Sequence, residues 1–215
     1  VSRWTDNQIG SMDDAKARVH NSPYDNFLIT GILAKIYLSL PTESDLREKI
    51  ASILEIDYED ALTEFKKAPF VHEPISWEHT YSTSKSTYLA TMIWTAALLY
   101  QITDKVDYQL LVEQKLVELL ACQETDGISL FDGTLLKGFY RDEKKKVFQH
   151  FNHQAREHLY AYAMTEAQKI ITDKELKVKL STSVSNYGAY LKYLMNFTDP
   201  YPMIASGIYE KNEWK

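Results

Sequence analysis

The chain has 215 residues, 24 Lys plus Arg against 30 Asp plus Glu, 45% hydrophobic residues and a single cysteine, Cys122. That length and composition exclude a disordered chain and an internal disulfide framework, and they support one core built by burial alone. The net charge of −6, with Lys144, Lys145 and Lys146 as the only dense basic run, excludes a nucleic-acid binder, and no window of roughly 18 apolar residues is present to span a membrane.

The spacing predicts an all-α chain. Asp25 to Leu40 carries Phe27, Leu28, Ile32, Leu33, Ile36, Tyr37 and Leu40, an apolar surface on nearly every side, and Pro41 ends it. Thr42, with Asp45 three residues on, reads as a capping box ahead of an amphipathic helix through Leu46, Ile50, Ile53 and Leu54. Tyr58 to Lys67 reads as a further helical piece before Pro69. From Thr83 or Ser84 to Gln101 the chain is again apolar all round, with Ala90, Ala96 and Ala97 allowing close contact, and reads as buried. Val106 to Cys122 sets Leu110, Leu111, Leu116, Val117, Leu119 and Leu120 against Glu113, Lys115 and Glu118 and reads as an outer helix. His153 or Gln154 to Ile171, the tight connection Thr172-Asp173, and Lys174 to Asn196 complete a third pair.

Three pairs of a more apolar helix followed by an amphipathic one therefore succeed each other. Connectors within a pair are short, which implies antiparallel neighbours, and those between pairs are long. The pairs recur about every 60 to 70 residues, too wide for common helical solenoids. The preferred architecture is an α/α toroid of helical hairpins, three of them present, with a generic helical bundle as the alternative. All long links would then precede the N-termini of the inner helices and lie on one face, where a site would gather.

Those links are chemically distinct. They hold five of the six His and two of the four Trp, in a chain with 15 Tyr, 8 Phe and 4 Trp. The first carries Trp4, Asp6, Asp13, Asp14, Arg18, His20, Tyr24 and Asp25. The second carries His72, Glu73, Trp77, Glu78, His79 and Tyr81. The third carries Asp126, Asp132, Tyr140, Arg141, Asp142, His150 and His153. Aromatic rings with a polar edge, carboxylates and donors converging from several loops suit a glycan cleft. Cleavage of an acetal between sugars needs one carboxyl to protonate the leaving oxygen and another to activate water or attack, and Asp13-Asp14 is the best adjacent pair. Two neighbouring acids repel, which would raise the pKa of one of them. His153 and Glu157 stand i, i+4 as metal ligands do, but His158 is off that face and no second ligand set joins them. Cys122, at the end of an apolar helix, reads as a buried inert thiol. Neither a metal nor a cofactor is expected, and no phosphate loop, HExxH or GxSxG occurs.

The stretch from LLACQETDG through GFYRD and QHFNHQAREH, then YGAYLKYLMNFTDPYPMIASGIYE, resembles the middle of glycoside hydrolase family 9-like catalytic domains of the kind found in gut Bacteroidetes, as does WEHTYSTSKSTYLATMIWTAALLY. The resemblance runs over most of residues 70 to 210 and implies a six-hairpin toroid, about half of it here, that hydrolyses β-linked glucan or related oligosaccharides by inversion. It also implies a periplasmic or secreted protein, and the Val1 start and Trp214-Lys215 end read as those of a fragment. The family's base lies in an Asp-Ala-Gly-Asp motif, for which only Ser11 to Lys16 stands nearby, and its general acid lies beyond the matching region. Asp13 and Asp14 are the catalytic candidates. The substrate-binding candidates are His20, Tyr24, Trp77, His79, Tyr81, Tyr140, Arg141, His150, His153 and Arg156 at the starts of the inner helices, and Tyr201 in a Pro-flanked loop. The expected partners are an oligo- or polysaccharide and the remainder of the catalytic domain. Two other readings stay open: a polysaccharide lyase, in which Arg neutralises a uronate and Tyr or His takes the C5 proton, and a non-catalytic glycan-binding module.

Overall fold

The computed structural model describes residues 23–70, 85–141, 158–201 and 203. They form six helices: α1 Pro23–Ser39, α2 Asp45–Lys67, α3 Lys85–Thr103, α4 Val106–Leu120, α5 His158–Ile170 and α6 Lys174–Met195. A small antiparallel pair, β1 Ile128–Ser129 and β2 Leu135–Leu136, lies between α4 and α5, with Ile128 opposite Leu136 and Ser129 opposite Leu135. The chain is therefore mostly helical, as the periodicity predicts, and the short strand pair is the element that periodicity does not reveal.

The helices pair antiparallel in sequence order. Phe27 of α1 meets both Tyr58 and Phe65 of α2, while Tyr37 further along α1 lies under Arg47 near the start of α2. Lys85 at the start of α3 pairs with Glu118 near the end of α4. Tyr160 and Met164 of α5 meet Tyr187 and Ser183 of α6. The first members of the pairs run side by side in one direction, with α3 in the middle. Tyr24 of α1 packs edge-on against Tyr88 of α3, and Ser86 and Thr87 of α3 bond the Tyr160 hydroxyl of α5. At the far ends, Lys35 of α1 and Gln101 of α3 both reach Glu166 of α5.

This placement explains why α3 is buried along nearly its whole length, from Ser86 to Leu99. Its buried threonines are hydrogen-bonded inside: Thr87 to the Tyr160 hydroxyl, Thr91 donating to the Thr87 carbonyl, and Thr95 donating to the Phe27 carbonyl across the helix interface. That last bond requires α1 and α3 to approach closely. Gly31 makes it possible, since a Cβ there would sit 2.5 Å from Thr95 Oγ1 and 2.7 Å from the Trp94 ring. Tyr58 of α2 completes the enclosure by donating to the Met92 carbonyl, and burial pushes its own pKa well above the usual tyrosine range.

Several local expectations are corrected. The second helix is one continuous element from Asp45 to Lys67, including the segment from Tyr58 that the pattern set apart. Its N-cap is Ser44, whose side chain makes no capping bond, and not Thr42; the turn is held instead by Arg47, which donates to the Leu40 carbonyl. Helix α1 is not covered on most sides: Ile29, Ile32 and Ile36 are exposed opposite the buried face of Phe27, Thr30, Gly31 and Ala34. On α4 the buried stripe is Tyr108, Val112, Leu116 and Leu119, whereas Leu110 and Val117 point outward. The polar face of α4 has work to do as well. Glu113 accepts from the backbone N–H of Thr172, and Gln109 donates to the Ile170 carbonyl, so α4 clamps the turn between α5 and α6, where Asp173 caps α6 through the Leu176 N–H.

Candidate functional site

The candidate site is the end of the molecule where α1, α3 and α5 begin. Because these helices share a direction, residues 1–22, 71–84 and 142–157 join the described chain at that one end. The starts of these helices are neighbours through the contacts of their first turns: Tyr24 with Tyr88, and Ser86 and Thr87 with Tyr160; the courses of the three links lie outside the described residues.

An interlocked tyrosine floor lies under this end. Tyr140 stacks on Tyr160, with ring centroids 4.5 Å apart and planes 20° off parallel. The Tyr140 hydroxyl bonds Ser183 Oγ at 2.8 Å and Met164 Sδ at 3.0 Å. Tyr187 meets the rings of Tyr140 and Tyr160, and Tyr190 extends the cluster to Phe139. Offset and edge contacts of this kind add about 0.5–1.5 kcal/mol per pair beyond burial. On the α1 side, burial pushes the Tyr88 hydroxyl pKa up, partly countered by the backbone of Tyr24.

The link from α4 to β1, and from β2 to Arg141, holds the floor in place. Gln123 pairs with Tyr140 as an antiparallel bridge, and the Gln123 side chain donates to the carbonyls of Gly138 and Ser183. Glu124 is buried; one carboxylate oxygen accepts from the N–H groups of Asp126 and Gly127, and the other is ion-paired with Arg141. Gly138 has φ of +98° and lies directly against the backbone carbonyl of Asn186 in α6. Only glycine fits there, which accounts structurally for the first residue of the GFYRD run. Phe139 is buried, Tyr140 stacks, and Arg141 pairs.

Of the residues singled out from sequence, Asp13, Asp14, His20, Trp77, His79, Tyr81, His150, His153 and Arg156 lie outside the described residues. Tyr24 and Tyr140 are inside and buried, at 1% and 2% exposure, so their rings build the floor rather than an open wall. Arg141 is largely buried and its charge is matched by Glu124. Tyr201 is 75% exposed, with its N–H donating to the Thr198 carbonyl. His158 opens α5 and contacts Tyr162 edge-on. Cys122 is buried, as expected, and its thiol faces the Glu118 carbonyl.

Sequence reasoning missed Ser86, Thr87, Gln123, Glu124, Tyr160 and Ser183. Glu124 carried a legible signal, an acid two residues before an Asp-Gly turn; the others are small or helical residues whose roles depend on a distant partner. Among the described residues, no group of three His, Cys, Asp or Glu side chains is placed to hold a metal ion, and no helix is long and apolar enough to cross a membrane. No protein-family model, curated protein or solved structure matches the chain.

Proposed function

We propose that this chain is a carbohydrate-active protein on an α/α toroid of helical hairpins, hydrolysing β-linked glucan or a related oligosaccharide with inversion. One observation carries the reading: three same-direction helices, each backed by an antiparallel partner, begin together over a tyrosine floor, at the end joined by the links that contain Trp77, His79, His150 and His153. That is where a cleft lined by rings and donors would be assembled. Asp13 and Asp14, in the first of these links, are the proposed carboxyl groups, one of them activating water. His20, Trp77, His79, Tyr81, His150, His153, Arg156 and Tyr201 are the proposed sugar contacts, and the setting is the periplasm or the cell exterior, where glucan polymers are met. Of the two arginines that motivate a uronate-directed lyase, Arg141 is already paired with Glu124 and Arg156 lies outside the described residues.

The test is product analysis on β-glucans, chitosan oligomers and uronic-acid polymers, with the anomer followed by NMR. New reducing ends of inverted configuration are expected, and Asp13→Asn or Asp14→Asn should lower turnover about 10²–10⁴-fold. Double-bond absorbance without new hydrolytic ends would establish a lyase instead, and binding with no turnover would leave a glycan-binding module.

A further inference from the structure

The hairpin between β1 and β2 displays one large apolar side chain for which the described fold has no use. Phe131 is 99% exposed at the apex of the turn. Its neighbours are more engaged: Leu136 is buried, and Leu135, although 54% exposed, lies over the backbone of Gly127. Asp132 closes the turn by accepting from the Thr134 N–H at 2.9 Å, while Leu130 and Thr134, and Gly133 and Leu130, are joined by backbone bonds of 2.8 and 3.0 Å. Gly133 takes the positive φ that this turn requires. The bonds to the Thr134 backbone and side chain also hold the Asp132 carboxyl below its ordinary range, so it is ionised at neutral pH. The base of the hairpin is anchored through Glu124 and Gln123 to the tyrosine floor. The ring is therefore held out on a pre-ordered turn whose base is joined to the candidate-site end.

We infer that this turn is a glycan-contacting platform, with Phe131 as the stacking face and Asp132 as the adjacent acceptor for a sugar hydroxyl. The ligand class is a neutral β-linked glucan chain. Charge disfavours anionic alternatives: residues 126 to 137 carry Asp126 and Asp132 against Lys137, in a chain of net charge −6, so uronic-acid polymers and anionic lipid surfaces are opposed while a neutral chain is not. A pre-ordered aromatic loses little conformational entropy when a sugar face covers it. The inference rests on the carbohydrate-active reading.

The experiment measures affinity of the full chain for mixed-linkage β-glucan, cello-oligosaccharides and polygalacturonate by gel retardation and calorimetry. Phe131→Ala, Phe131→Trp, Asp132→Asn and the distant control Val178→Ala are compared, with circular dichroism confirming the fold. Phe131→Ala should lose about tenfold in glucan affinity, with Phe131→Trp restoring it and Val178→Ala unchanged. If the wild type binds glucan and Phe131→Ala binds equally well, the platform is refuted while the carbohydrate reading stands. If the wild type binds none of the three, both fall. Preference for polygalacturonate overturns the ligand class, and a dimer abolished by Phe131→Ala would make the tip a contact between copies instead.

Discussion

Replacing Gly138 with Ala would place a methyl group against the backbone carbonyl of Asn186. Two costs combine. A side chain at φ +98° is strained by about 1–2 kcal/mol. The obstructing atom is backbone in α6 and cannot rotate away, so the link or the helix must shift, costing a further ~1–3 kcal/mol by analogy with overpacking. The expected loss is about 2–5 kcal/mol, or roughly 4–20 °C in Tm for a chain of this size. Two other glycines isolate the cause. Gly133 has φ +82° with nothing within 4 Å of a Cβ, so Gly133→Ala should show the strain alone, about 1–2 kcal/mol. Gly188 is exposed in α6 with open space around it, and Gly188→Ala should stabilise by about 0.5–1 kcal/mol through helix propensity. Urea unfolding followed by circular dichroism and by tyrosine fluorescence gives all three values. Equal losses for Gly138→Ala and Gly133→Ala would refute the contact with α6 as the reason for the glycine.

Other outcomes follow from the polar contacts. Tyr140→Phe removes the hydroxyl bonded to Ser183 and Met164 and should cost about 1–2 kcal/mol, part of it recovered in the double variant with Ser183→Ala, which no longer leaves a buried hydroxyl short of its partner; additive losses in a double-mutant cycle would show that the pair is not coupled. Glu166 offers a pH test. Burial raises its pKa, but bonds from Lys169 and Gln101 and the charges of Lys169 and Lys35 outweigh that, leaving the folded pKa below the ordinary 4.5. Its contribution is therefore complete above that value and is lost as the pH falls through the lowered folded pKa. Unfolding midpoints measured from pH 7 to pH 2 should fall less steeply for Glu166→Gln than for the wild type, and parallel curves would show that the carboxylate is not the linked group.

Hydrophobic spacing by itself located the helices, their pairing and the buried character of α3, because a stretch such as TYLATMIWTAALLY has no polar face to turn outward. It also placed the links that join at one end, since short connectors force neighbouring helices to reverse and so return every long link to the same side. What spacing cannot supply is the identity of the neighbour. Ile29, Ile32 and Ile36 are as apolar as Phe27, yet only Phe27 meets α2 and α3. Leu110 and Val112 differ little as residues, but only Val112 faces the core. Composition singled out Tyr140 as a polar-edged aromatic, whereas its burial was decided by Tyr160, Ser183 and Tyr187, which are 20 to 47 residues away in the chain. The same holds for Glu124 with Arg141, and for Glu166, to which α1 and α3 deliver Lys35 and Gln101 beside the local partner Lys169. Local pattern governs which segments become helices because their backbone bonds close within a few residues; burial and charge pairing depend on atoms brought together from distant parts of the chain, and only the packed fold specifies those.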